Sequence, residues 1–213
     1  MKKVKQQVWA LLNALGMGGA LQLHLASGLR DDGWFRSFQT KRPVDAQGQP
    51  IPWYSYPFLY FIEPRIKAHF EVFEYGSGNS TRWYAQRVQH IAAVEHDTDW
   101  IKIVAPQLPQ NARLIEKPLG NPYVQAVALE GKKYHIVVVD GRQRVDCARY
   151  AINYLTPDGV LILDNSEREI YQPAREYLQQ QGFRCLDFRG MTPIVSINSC
   201  TSVFYRDGNC LDI

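Results

Sequence analysis

A chain of 213 residues is long enough to bury one ordinary hydrophobic core and carry an appendage. Hydrophobic residues make up 46% of it and charged residues 21%, a balance that excludes global disorder. The formal charge of +3 is thinly spread with no run of five basic residues, so the sequence demands neither nucleic acid nor an anionic membrane as a partner.

The N-terminus sets Lys2, Lys3 and Lys5 before a largely apolar stretch from Val8 to Leu29, a pattern that imitates a signal peptide or a membrane anchor. Asn13, Gln22, His24 and Ser27 interrupt it, and Gly16, Gly18 and Gly19 weaken a continuous helix. The expectation is a helical appendage docked on the domain, with a peripheral-membrane or secretory role for the segment as the alternative. Residues 31 to 64 are rich in proline, glycine and aromatics. They read either as a hydrophobic arm packed on the domain or as a lid, with Trp53, Tyr54 and Tyr56 walling a ligand site.

Regular alternation begins near residue 70. Phe70 to Tyr75 is a short strand ending in a glycine turn, Asn79 to His90 reads as a helix, and Ile91 to Val94 is a second strand. Asp97 is the N-cap of a helix that stops near Pro106, and Asn111 to Ile115 is a third strand. His135 to Val139 is an unbroken β-branched run, as expected of a parallel strand buried on both faces. Val145, Ala148, Ala151, Ile152 and Leu155 mark one helical face before a Pro157-Asp158-Gly159 turn. Gly159 to Leu163 is the fifth strand, a helix spans about 169 to 181, and two strands cover Phe183 to Phe188 and Thr201 to Tyr205. Alternating strands and helices predict an α/β fold with a parallel sheet and right-handed crossovers. The division expected is an N-terminal helix and aromatic arm over 1–69 and a Rossmann-like domain over 70–213.

The chemistry begins at Glu74-Tyr75-Gly76-Ser77-Gly78-Asn79-Ser80-Thr81. Glycines between a strand and a helix let backbone approach a ligand, and the helix start offers unpaired N–H groups. Glu74 at a strand tip is costly without a partner, and a ligand ammonium group is one candidate. Glu95, 19 residues after Gly76, ends the second strand, where an acid accepts both hydroxyls of a ribose. His96 beside it reads as an adenine neighbour.

Together these residues resemble the class I S-adenosylmethionine-dependent methyltransferases over roughly residues 70 to 206. The resemblance implies a mostly parallel Rossmann-like sheet with an antiparallel C-terminal edge. It also implies that Gly76, Ser77, Gly78, Asn79 and Ser80 face the amino-acid part of the cofactor while Glu95 holds its ribose. The aromatic arm adds Tyr54 and Tyr56 as expected cofactor contacts and Trp53 as an acceptor contact. Gly48 to Tyr56 (GQPIPWYSY) and the tail SVFYRDGNCLDI also look like a little-characterised group of bacterial methyltransferase-like proteins.

Asp140 follows the fourth strand, and Asp164-Asn165 follows the fifth. Neighbouring parallel strands bring such ends together, and three hard oxygen donors suit magnesium or another divalent cation. The pattern is similar to the metal-dependent O-methyltransferases of the catechol and caffeoyl-coenzyme A type. It departs from them at Gly141-Arg142-Gln143-Arg144, which replaces their acidic run. Without a metal, Asp140 is the expected acid–base residue. Arg142, Arg144 and Arg168 are expected around the same edge, where they would bind an acceptor carrying carboxylate or phosphate.

The activity implied is transfer of a methyl group to a small hydroxyl-bearing acceptor, anionic or sugar-like. An NAD-dependent oxidoreductase shares the glycine turn and the distant acid, but Thr81 stands at its third glycine and Glu74 would sit beside a diphosphate. A non-catalytic binding protein on the same fold is the remaining alternative. Cys147, Cys185, Cys200 and Cys210 lack zinc-site spacing, and their sparseness fits a reducing cytoplasm. Homo-oligomerisation is left open.

Overall fold

The computed structural model describes residues 2–213. Four helices open the chain: α1 (Lys2–Ala14), α2 (Gly18–Leu25), α3 (Gly28–Asp31) and α4 (Trp34–Thr40). After α5 (Tyr56–Ile62), strands and helices alternate as β1 (Glu71–Tyr75), α6 (Asn79–Ala85), β2 (His90–Glu95), α7 (Thr98–Val104), β3 (Ala112–Glu116) and α8 (Asn121–Val124). The order continues with β4 (Tyr134–Val139), α9 (Arg144–Ala151), β5 (Leu155–Asp164), α10 (Gln172–Gln180), β6 (Arg184–Met191) and β7 (Asn198–Tyr205).

The seven strands form one sheet in the order β3-β2-β1-β4-β5-β7-β6. β1 to β5 pair in parallel, and β7 runs antiparallel to both its neighbours. The expected Rossmann-like sheet with an antiparallel C-terminal edge is therefore present. All five parallel strands end at one edge of the sheet, which gathers the loops carrying Gly76, Glu95, Asp140 and Asp164.

Side-chain alternation splits the core into two clusters, one on each face. Phe73, Tyr75, Val137, Val139, Leu161 and Leu163 pack with residues of α8, α9 and α10. Val72, Ile136, Val138, Val160 and Ile162 pack with Tyr54, Phe58, Ile62, Trp83 and Tyr84. The aromatic arm is thus part of the second core from Tyr54 to Ile62, across the boundary expected at residue 69. Its backbone is tied to the sheet where Ser55 N–H donates to Thr201 Oγ1 at 3.1 Å and Ser55 Oγ donates to the Phe188 carbonyl at 2.7 Å.

Three expectations change. The helix after the glycine turn stops at Ala85, because the chain must fold back for Val88 to reach the core before β2 begins. Pro157-Asp158-Gly159 does not separate two elements: it bulges out of β5, which pairs Leu155 with Tyr134 and resumes with Val160 opposite Ile136. α1 and α2 bury no face against the domain. α1 buries no residue and α2 buries Gly18 alone, because α5, α6 and α8 to α10 already cover the sheet's apolar faces. Among the described residues no single helix is long and apolar enough to cross a membrane.

This division of burial sets a test. Phe58→Ala, at a fully buried position, is expected to cost about 3–5 kcal/mol of unfolding free energy. Leu11→Ala, at a residue 61% exposed, should stay within about 0.5 kcal/mol of wild type. Urea denaturation of both variants measures the difference.

Candidate functional site

The parity of the strands decides what the sheet edge can do. Glu74, Asp140 and Asp164 all follow the even-numbered positions of their strands, so they share the face covered by the arm and α6. Glu74 is buried at the tip of β1. Its Oε2 accepts a hydrogen bond from Thr81 Oγ1 at 2.5 Å, and Thr81 Oγ1 itself accepts the Gly78 N–H at 3.0 Å. Thr81 thereby locks the glycine turn onto the carboxylate, which accounts for a hydroxyl where a dinucleotide-binding turn has its third glycine. Burial pushes the Glu74 carboxyl up to about 8, against the hydroxyls of Ser80 and Thr81 that favour its ionised form.

The turn itself requires its glycine. Gly76 has φ 97°, and a Cβ there would lie 3.2 Å from the Gly141 Cα. Gly141 in turn leaves no room for a side chain, since a Cβ would lie 2.8 Å from the Gly76 nitrogen. The loops after β1 and β4 are therefore in backbone contact, and together they floor a cleft.

That cleft, about 280 Å3, is lined by Glu74, Gly76, Ser77, Ser80, Glu95 and His96, with Tyr123, Asp140, Gly141 and Arg142 opposite. Glu95 is buried. One of its oxygens accepts the backbone N–H groups of His96 at 2.8 Å and Asp97 at 3.2 Å, and the other accepts Ser77 Oγ at 3.2 Å. His96 Nδ1 also lies 2.8 Å from Glu95. A second cavity of about 390 Å3 adjoins it, and Ser77, Ser80, Trp100 and Asp140 line both. Gly78 and Asn79 face this larger space, along with Lys41, Arg42, Trp53 and Arg82.

Asp140 and Asp164 meet at the ends of β4 and β5, but the cation between them is Arg144. Its Nη2 lies 3.0 Å from Asp140 Oδ1 and its Nη1 3.9 Å from Asp164 Oδ2. The same guanidinium donates to the carbonyls of Asp140, Gly141 and Asp164. Asn165 has turned away, donating to Ser199 Oγ at 3.0 Å. The expected divalent site at Asp140, Asp164 and Asn165 is thus not supported: a protein guanidinium holds the position and one ligand points elsewhere. Among the described residues no cluster of metal-ligating side chains occurs.

Burial raises both aspartates above the ordinary carboxylate range. Asp164 rises furthest, since burial is followed by the repulsion of Asp140, while the Thr201 hydroxyl at 2.7 Å and Arg144 partly oppose the rise. Asp140 is held down by Arg144 first and by a hydrogen bond from Asp164. Of the two, Asp140 is the one with access to the cleft, its side chain being a quarter exposed.

Other expected contacts fall elsewhere. Tyr54 is fully buried in the core beneath Glu74 and lines neither cavity, and Tyr56 faces a separate cavity beside Asp32 and Tyr60. The packing demand of α5 and the sheet decides both positions, so neither works as a lid. Trp53 does line the larger cavity, with Nε1 3.3 Å from Thr192 Oγ1. Of the three arginines expected to bind an anion, Arg142 and Arg144 line the smaller cleft, with Arg144 already paired to the aspartates, and exposed Arg168 lines neither cavity. The cations of the larger cavity are Lys41, Arg42 and Arg82 instead.

Sequence reasoning missed Trp100, Tyr123, Gly141 and Thr81. Trp100 was accessible in principle: it lies in the first turn after the Asp97 cap, and such a turn must face the carboxyl edge. Its Nε1 donates to the Ser77 carbonyl at 2.9 Å and pins the glycine turn. Tyr123 carried no such signal, because α8 is short and its direction is set by tertiary packing.

No protein-family model matches the chain, and no curated protein is similar to it in sequence. Solved structures do match. The O-methyltransferase TomG of Streptomyces achromogenes, involved in tomaymycin synthesis and solved with S-adenosylmethionine, is 12% identical with a TM-score of 0.58. That match covers 89% of this chain and 95% of TomG. An rRNA methylase of Streptococcus thermophilus (13% identity, TM-score 0.54) covers 69% of this chain and 92% of its own. The precorrin-6y C5,15-methyltransferase of Geobacter metallireducens (13% identity, TM-score 0.53) covers 68% and 85%. With its sheet order of β3-β2-β1-β4-β5-β7-β6 and these likenesses, this chain has the fold of the class I S-adenosylmethionine-dependent methyltransferases.

Proposed function

We propose that the protein is an S-adenosylmethionine-dependent methyltransferase that methylates a hydroxyl group on a small anionic acceptor without a metal. The observation that carries this reading is Glu74, a buried carboxylate at the tip of β1 with no cationic partner, facing a cleft that Glu95 shares. A cationic amino-acid ligand supplies the missing charge, whereas a diphosphate would meet repulsion at the same place. Glu95, held by three N–H and O–H donors, keeps its remaining lone pairs for a ribose diol.

When bound, S-adenosylmethionine supplies an electrophilic methyl on sulfur. Asp140 lines both cavities, so it stands where cofactor and acceptor adjoin. Its carboxylate would accept the proton of an acceptor hydroxyl held at that border, leaving the oxygen as the nucleophile toward the methyl group. Its raised pKa improves it as a base, and Asp164 and Arg144 keep it oriented. Trp53 and Trp100 offer flat apolar walls, while Lys41, Arg42 and Arg82 suit a carboxylate or phosphate on the acceptor. None of those three cations pairs with a carboxylate among the described residues.

Calorimetry with S-adenosylhomocysteine and NAD in parallel tests the cofactor. S-adenosylhomocysteine should bind and NAD should not; no heat from saturating S-adenosylhomocysteine removes the reading. An ammonium ligand selects ionised Glu74, so affinity should rise with pH by up to roughly tenfold per unit below the Glu74 value of about 8. Glu74→Gln should weaken binding and flatten that dependence. The same carboxyl has a folded pKa above its unfolded one. Its contribution to unliganded stability is therefore full below the unfolded value and is lost as pH rises through about 8. Glu74→Gln should consequently be the more stable protein at pH 8, with the gap closing toward pH 4.5.

Chelation separates the two accounts of the aspartates. Exhaustive EDTA should change neither S-adenosylhomocysteine affinity nor melting temperature. Arg144→Ala, which strands buried Asp164 and part-buried Asp140, should cost about 3–5 kcal/mol of stability by urea denaturation. In the double variant Arg42→Ala/Arg82→Ala, KM for a carboxylate-bearing phenol that serves as acceptor should rise at least tenfold with S-adenosylhomocysteine affinity unchanged; an unaltered KM would take the anion out of the acceptor class.

A further inference from the structure

We propose that α1 and α2 form an amphipathic anchor that docks on a lipid bilayer surface bearing anionic headgroups. This inference is independent of the methyl-transfer reading.

Trp9 and Leu12 of α1 are half-buried, but the fold leaves most of the apolar surface of the two helices open. Val4, Val8, Leu11 and Leu15 recur at intervals of four, three and four residues, a single stripe along α1 and its C-terminal end. These four residues are 51–63% exposed. The apolar surface continues through Met17 at 57%, and Leu23 and Leu25 in α2 stay nearly half exposed. Gly16, with φ 71°, breaks the helix between them. The two segments consequently meet at a bend of 119° rather than extending as one rod. Among the described residues no single helix is long and apolar enough to cross a membrane, and an apolar stripe with lysines off it suits an element lying in an interface.

Charge selects the partner. α1 and α2 contain Lys2, Lys3 and Lys5 and not one carboxylate, so these three cations equal the chain's whole formal charge of +3. On α1 the three lysines lie off the apolar stripe, the arrangement expected when hydrophobic residues enter the acyl boundary and ammonium groups meet headgroup phosphates. A second copy of the chain would instead bring six like charges together around the same apolar surface. The element remains attached to the folded body, since the His24 ring packs edge-on against Phe35 at 4.6 Å.

The test is co-sedimentation of the full chain with vesicles of phosphatidylcholine alone or mixed with phosphatidylglycerol, at low and high salt. The chain should sediment with the mixed vesicles at low salt, and high salt should release it. Leu11→Glu/Leu15→Glu should stay in the supernatant at an unchanged melting temperature, because neither position is buried. Each Lys→Gln change among Lys2, Lys3 and Lys5 should lower partitioning by roughly fivefold, the equivalent of about 1 kcal/mol per cation. Three results would overturn the proposal. Wild type could remain in the supernatant with both vesicles, or bind neutral vesicles equally well with no salt response. Analytical ultracentrifugation could also reveal a dimer that Leu11→Glu/Leu15→Glu dissolves, which assigns the apolar surface to a second copy.

Discussion

Three carboxylates on one face of one sheet edge are the constraint to which the surrounding structure answers. Alternation along β1, β4 and β5 leaves no choice: once Val72, Val138 and Ile162 face the arm, Glu74, Asp140 and Asp164 must face it too. Burying three acids together is unfavourable unless protons, hydroxyls or cations compensate. Each kind of compensation is present. Thr81 and Ser80 serve Glu74, Thr201 serves Asp164, and Arg144 lies between the two aspartates. Gln143, with φ 50°, sits in the left-handed region that turns the chain so Arg144 can reach back to the strand ends.

This arrangement fixes where charge can enter. Arg144 already satisfies the β4–β5 side, so a further cation there would be redundant. The β1 side is different, because Glu74 has hydroxyl donors but no positive partner. The cleft is therefore electrostatically incomplete at one end alone, and a ligand with one cationic group near a glycine turn completes it. Asp140, on the border of the two cavities, then remains the carboxylate with access to both.

The parallel strands were legible because β-branched runs such as Ile136 to Val139 have few other uses, and the acids at their tips were legible from position. What those acids bind was not. Asp140, Asp164 and Asn165 look like three ligands in sequence, but side-chain direction depends on neighbours far along the chain. Ser199 draws Asn165 aside from 34 residues away, and Arg144 is brought in by a backbone conformation that Gln143 does not advertise. The N-terminal segment failed for the opposite reason. Its composition reads as core, yet burial is a property of available partners, and α5 and α6 had already taken that face of the sheet. Tyr54 shows the same competition inside the arm: an aromatic suited to a ligand wall is used as a packing anchor.

The arm therefore joins stability to specificity in one segment. Its root, Tyr54 to Ile62, belongs to the core, and Ser55 N–H donates to the Thr201 oxygen that in turn donates to Asp164. Its tip carries Lys41, Arg42 and Trp53 over the larger cavity. The tip is also fastened: Asn79 Nδ2 donates to the Pro43 carbonyl at 2.7 Å, and Ser37 Oγ bonds both the N–H and the carbonyl of Val44. A segment fixed at both ends and across its middle, where Val44 bridges to Pro50, presents a preformed wall. Acceptor choice on such a wall follows from the shape and charge already in place, and the entropy of ordering a mobile lid does not have to be overcome on binding.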